Sequence, residues 1–253
     1  MSGVHAHALH YHGHSPVHRL ASEVKIVAMF AFVAAVIAAP TREVWAFGAL
    51  AAILAVAVGL AELPTAFFLK RLSIELPFVI FALAMPFVGV GPYVEVGSLS
   101  LSVPGLWGAW NVLAKATLSV GASVVLSATT EVPDILAGFD RLRAPRLLTA
   151  IAGFMIRYLE VVVSELGRVR TAIAARLGNL SRRQEAATLA SVAGTMFIRA
   201  YERGERIHQA MLARGYRGTI PPAATPALPA RWAGTVAWIA ASWVVAAAAI
   251  LTS

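Results

Sequence analysis

The chain has 253 residues, of which 58% are hydrophobic and only 13% charged, with a mean hydropathy of +0.72. A soluble globular domain carries about 25% charged residues, so this composition excludes that class and marks a chain whose surface faces lipid. Cysteine is absent, which rules out disulfides, thiolate metal sites and cysteine nucleophiles. The formal net charge of +8 leaves nucleic acid, anionic lipid and acidic protein open as partners.

The first eighteen residues hold His5, His7, His10, His12, His14 and His18. Imidazoles bind nickel, cobalt, zinc and copper. Two readings stand: a tail that holds a divalent transition metal weakly, or a polar leader with no stoichiometric site. Residues 1–19 form this tail, and it is not read as a transport site.

Five apolar runs follow that are long enough to cross a bilayer. The first, Ile26–Ala39, spans when its flanks from Leu20 to Pro40 are included; with a long His-rich leader and no small-x-small site, it is not a cleavable signal peptide. Val44–Leu63, Glu75–Gly91, Gly105–Thr130 and Trp232–Leu251 complete the set, and Leu147–Val163 is a weaker sixth candidate. Glu62 and Glu75 are placed at span ends. Asn111 and Lys115 lie inside the fourth span on one helix face, either as a contact to a partner subunit or an intramembrane carboxylate, or as snorkelling and packing residues.

Basic residues orient the spans. Arg19 and Lys25 precede the first, Lys70 and Arg71 precede the third, the loop 92–104 has no Lys or Arg, and residues 131–231 carry fifteen arginines. Alternation through five spans puts the N-terminus and the arginine-rich segment in the cytoplasm and the C-terminus outside. That segment has helical periodicity. Val132–Leu142 is a short amphipathic piece. A helix is predicted from Arg146 to about Arg176, with Val162, Leu166, Val169 and Ile173 on one stripe. A second runs from about Ser181 to Arg214, with Phe197, Ala200, Tyr201, Gly204, Ile207 and Met211 on one face and Arg199, Glu202, Arg203 and Arg206 on the other. Gly178 and Asn179 end the first helix, Gly215 stops the second, and four prolines between 221 and 229 form a stiff linker.

Both helices end on an Ala-Arg step, Ala175-Arg176 and Ala213-Arg214-Gly215. One reading is a pair of ordinary C-terminal caps favoured by the helix dipole. The other is a pair of docking tips, in which a planar guanidinium enters an acidic groove on a partner protein. The run His208–Gly218 (HQAMLARGYRG) resembles the signature of the T component of energy-coupling-factor transporters, in the cobalt and nickel importer branch. His18–Lys25 (HRLASEVK), Arg141–Arg146 (RLRAPR), Arg157–Leu159 (RYL) and Arg199–Arg203 (RAYER) are similar to that family as well.

The resemblance implies an all-α integral membrane protein, with about five transmembrane helices at 20–130 and 231–253 and long amphipathic cytoplasmic coupling helices at 131–230. It implies a non-catalytic inner-membrane subunit that links two ABC-type ATPases, which bind the ATP and Mg, to a substrate-binding membrane subunit. Ala213, Arg214 and Gly215 match the family's second ATPase-docking motif. Ala175 and Arg176 match the first, with Leu177 where a small residue is usual. The residues themselves agree in one respect: no Gly-x-x-x-x-Gly-Lys-Ser/Thr loop occurs, so the chain has no phosphate-binding loop of its own. The rival reading is a stand-alone secondary transporter or channel, which would need polar residues lining a midplane site. A membrane-embedded enzyme would need clustered His, Asp or Glu. Nucleic acid is not a predicted partner, since the arginines alternate with apolar residues and lack stacking aromatics.

Overall fold

The computed structural model describes residues 15–89, 91–96, 99–177, 182–217 and 232–252. In chain order the elements are α1 (Ser22–Ala38), α2 (Val44–Leu60), α3 (Thr65–Leu72), a single 3-10 turn (Ser73–Glu75), α4 (Leu76–Val88), β1 (Tyr93–Val96), β2 (Leu99–Ser102), α5 (Val103–Thr129), α6 (Val132–Arg141), α7 (Arg146–Leu177), α8 (Arg182–Ala213) and α9 (Trp232–Thr252). The protein is an all-α membrane protein, with one small hairpin among the described residues. The chain divides into two compact units, residues 1–142 with 225–253, and residues 143–224.

The first unit is a bundle whose helix directions follow from its contacts. Lys25 of α1 reaches Thr129 at the end of α5, Ser123 of α5 reaches Met29, and Lys115 of α5 reaches Ile37 at the end of α1. These two helices are therefore antiparallel. Gly105 at the start of α5 abuts Met85 near the end of α4, and Thr117 bonds Glu75 further back, so α4 and α5 are antiparallel too. Phe47 meets Trp110 and Leu54 meets Gly121, which makes α2 and α5 parallel. Trp238 of α9 stacks on Phe32 with ring centroids 5.0 Å apart, while Gly234 and Thr235 share a cavity wall with Lys25 and Ala28, so α9 runs with α1. Successive elements α1, α2, α3–α4, α5 and α9 thus alternate in direction.

Phe32, Val36, Leu50, Leu54 and Leu118 are buried at the centre of this bundle. A cavity of about 930 Å³ lies beside them, at the Lys25 end, with Met29, Leu54, Val125 and Trp238 in its wall. Between helices in lipid, burying apolar surface gives little driving force, so close packing and hydrogen bonds must hold the bundle.

Gly105 shows the packing term. A Cβ there would sit 2.5 Å from the Met85 carbonyl oxygen and 2.9 Å from the Pro86 Cα, both backbone atoms that cannot swing away. The Ser102 hydroxyl accepts the Gly105 N–H at 3.3 Å and caps α5 at this same point. Gly105→Ala should cost about 2 kcal/mol through overpacking, read as a lower unfolding midpoint in detergent; an unchanged midpoint would show that the α4–α5 approach is slack.

Two features differ from the sequence reading. The third span does not begin at Glu75: helix runs from Thr65 to Val88, 24 residues long and apolar enough to cross a membrane. Glu75 is 4% exposed inside that stretch, not at a span end, and accepts a 2.7 Å hydrogen bond from the Thr117 hydroxyl. The charges around it looked like a span boundary in the sequence. Lys70 is instead exposed and Arg71 stacks its guanidinium 4.5 Å over the Phe67 ring, so the helix passes through them. The second difference is the hairpin in the loop 92–104, where Tyr93 pairs with Ser102 and Val96 with Leu99 in antiparallel register. The alternation Leu99-Ser-Leu-Ser is the strand pattern that could have revealed it.

Helix boundaries elsewhere follow the predicted ones within a few residues. The Gly178–Asn179 stop and the proline linker lie outside the described residues. Helix α7 from Arg146 to Ala175 is also long and apolar enough to span, and its apolar stretch is half-buried to exposed, with no fully buried residue.

Candidate functional site: two arginine-tipped helices

The second unit consists chiefly of α7 and α8, each 32 residues long. Helix α8 ends by a defined mechanism. Gly215 has φ +83, a left-handed conformation that a Cβ disfavours. Its N–H bonds the Leu212 carbonyl at 3.0 Å, and the Tyr216 N–H bonds the Met211 carbonyl at 3.0 Å. This pair of bonds is a Schellman cap, which consumes two of the carbonyls that a helix end leaves unpaired. The chain therefore turns away immediately after Arg214.

Ala213, Arg214 and Gly215 are all exposed, and no described residue forms an ion pair with Arg214. The Arg214 guanidinium stands at the negative end of the helix dipole with small neighbours on both sides, free to meet an acidic partner. Ala175 is likewise exposed, in the last turn of α7. Arg176 lies on that same last turn; its side chain and the residues after Leu177 are outside the described set. The structure places both Ala-Arg steps at helix C-termini.

The inward face of α8 follows the predicted apolar stripe only in part: Ile207 and Met211 lie on it, and Arg199, Glu202 and Arg206 are exposed as the polar face requires. Phe197 and Tyr201 are 73% and 65% exposed, whereas Met196, Arg203, Ile207 and Met211 are half-buried. Arg203, assigned to the polar face, points inward because Glu165 of α7 holds it. Arg203 Nη2 donates to Glu165 Oε2 at 3.1 Å, and Arg199 Nη1 lies 3.6 Å from Glu165 Oε1. Glu165 shares the half-buried face of α7 with Leu166, Val169 and Ile173. Sequence reasoning missed this carboxylate as a cross-helix partner. The signal was present in its position one residue from the apolar stripe, where a charge needs an opposite charge on the facing helix.

In the membrane unit, Lys115 donates to the Ile37 carbonyl at 2.8 Å and so caps the end of α1. Asn111 Oδ1 is buried without a hydrogen-bond partner among the described residues. The tail histidines His5, His7, His10, His12 and His14 lie outside the described residues. Among the described residues no group of three or more His, Asp or Glu side chains is placed to hold a metal ion.

The sequence profile of the CbiQ family, described as a cobalt transport protein, matches residues 13–224, from the end of the tail to beyond the Schellman cap. The chain belongs to the CbiQ family. It is 28% identical over 171 residues to the cobalt transport protein CbiQ of Rhodobacter capsulatus, covering 66% of this chain and 68% of that one. It is 27% identical over 222 residues to the energy-coupling factor transporter transmembrane protein EcfT of Listeria innocua, covering 81% and 82%. The EcfT protein of Staphylococcus aureus is 25% identical over 220 residues, with 81% of each chain covered. Family and fold together make this chain the membrane component of a transporter.

Proposed function

We infer that the chain is the transmembrane coupling subunit of an ATP-driven energy-coupling-factor importer for cobalt or nickel. Two ABC-type ATPases dock on the helix tips, one at Ala213, Arg214 and Gly215 and the other at Ala175 and Arg176. A separate membrane subunit binds the metal. The observation that carries this reading is Arg214, exposed on a helix end that the Gly215 cap terminates and without an ion-pair partner among the described residues. The names of the CbiQ and EcfT relatives support it. The ATPases hold ATP and Mg and do the hydrolysis, so this subunit is not an enzyme. The face of the bundle with the α1 start, the α5 end and the α9 start is the cytoplasmic face of the inner membrane, as the arginines around it favour. The tail histidines bind a divalent transition metal weakly and buffer it near the complex.

Gentle solubilisation of the full chain from its native membrane, followed by intact-complex mass spectrometry, should recover two ATPase subunits and a further membrane subunit. Reconstituted in vesicles, that complex should take up cobalt or nickel only with ATP. Cobalt or nickel uptake by the purified chain alone, without ATP, would sink this reading in favour of a secondary transporter.

A further inference from the structure

We propose that Glu165 is a positioning residue: its ion pair with Arg203 pins α7 to α8 at one point about two-thirds of the way along both helices, and this pin sets the angle between the two docking tips. The proposal rests on the coupling-subunit reading above for its functional consequence, though the pin itself is a matter of geometry.

Three observations carry it. First, two polar contacts between α7 and α8 converge on one carboxylate: Arg203 at 3.1 Å on one oxygen and Arg199 at 3.6 Å on the other. The Glu165 side chain is 16% exposed and that of Arg203 33%, against 60% for Arg199, so Arg203 is the buried partner and Arg199 an outer brace. A charge-assisted hydrogen bond that is partly withdrawn from water is stronger and more directional than an exposed pair.

Second, backbone packing does not fix the crossing. The elements whose backbones run close together do not include the α7–α8 pair. Side chains therefore hold the crossing, and an ion pair at one point permits rotation about it.

Third, the pin is equidistant from the two tips. Glu165 is eleven residues before Arg176, and Arg203 is eleven residues before Arg214. Helix is continuous over both stretches up to the tips, Arg214 being the cap residue of α8. At a rise of 1.5 Å per residue each arm is roughly 16 Å long. Equal arms turn a change in crossing angle into equal displacements of Arg176 and Arg214. A pair of ATPases closing symmetrically requires that of its docking points. The three nearby charges Arg168, Glu202 and Arg206 do not substitute for the pin: Arg168 bonds Ser164 on its own helix at 3.5 Å and Arg206 pairs with Glu202 on its own helix at 3.8 Å.

The absence of native cysteine permits a clean test. The full chain carrying Ala172→Cys and Gln209→Cys, spin-labelled in lipid nanodiscs, should give a narrow inter-label distance distribution. Adding Glu165→Gln, which keeps the shape and removes the charge, should broaden it, with the crossed arrangement disfavoured roughly tenfold. The swap Glu165→Arg with Arg203→Glu should narrow it again. An unchanged distribution in Glu165→Gln, or no recovery in the swap, overturns the pin. In the assembled transporter, Glu165→Gln should still co-purify both ATPases and still hydrolyse ATP, while metal uptake per ATP falls about tenfold and recovers in the swap. A broadened distribution with normal uptake per ATP overturns the pin's role in coupling. Failure of the coupling-subunit reading would look different, since the wild-type chain itself would then recover no ATPases.

Discussion

Arg214→Glu is expected to remove one ATPase from the isolated complex and reduce metal uptake to background, while leaving the fold intact. The Gly215 cap, not the arginine side chain, terminates α8, and no described residue pairs with Arg214. Helicity and thermal unfolding of the isolated chain should therefore stay at wild-type values. In the docked complex a desolvated guanidinium on carboxylates is a charged hydrogen-bonded pair, and truncating one side of such a pair costs about 2–5 kcal/mol, a loss of thirtyfold or more in affinity. Reversal adds repulsion to that loss. Arg214→Lys should be intermediate, since a lysine keeps the charge but not the two-point geometry. The measurements are ATPase stoichiometry by mass spectrometry and uptake in vesicles. Normal stoichiometry and normal uptake in Arg214→Glu would show that the helix tip is an ordinary cap.

How much of this was legible without coordinates depends on the kind of signal. The long apolar runs and the two amphipathic helices were readable because hydropathy and period 3.6 are local properties. The stop at Gly215 was readable because only a residue without Cβ accepts that backbone conformation comfortably, and the structure gives it φ +83. The third span was misplaced because charge was read as a boundary. The Thr117 hydroxyl that satisfies Glu75 is forty-two residues away, and a partner at that separation leaves no local trace. The inward turn of Arg203, read as part of the polar face of α8, has the same cause: its partner Glu165 is thirty-eight residues away on the facing helix. The helix end at Ala213–Gly215 was legible; the contact between Glu165 and Arg203 was not.

The two lysines of the membrane unit make a second large effect testable. Lys25 in the first turn of α1 donates to the Thr129 carbonyl at 2.8 Å, to the Thr130 hydroxyl at 3.3 Å and to the His18 carbonyl at 3.2 Å. Lys115 in α5 donates to the Ile37 carbonyl at 2.8 Å. Each of two antiparallel helices thus supplies the cation that caps the other's C-terminus, where carbonyls are unpaired and the dipole is negative. Lys25 is 8% exposed, so water has little access to replace it. Lys25→Met keeps the aliphatic stem and removes the donors. It should cost about 3 kcal/mol, because buried acceptors left unpaired carry their own desolvation penalty of about 1–3 kcal/mol each. Lys115→Met should cost less, about 1 kcal/mol, since it leaves one acceptor unpaired at a more open site. The two sites lie at opposite ends of the α1–α5 pair, so the double variant should show the sum of the single effects. Unfolding of the detergent-solubilised chain, followed by circular dichroism, reads all three. If Lys25→Met unfolds at the wild-type midpoint, the helix ends are satisfied by other groups, and the lysine serves only as an interfacial charge.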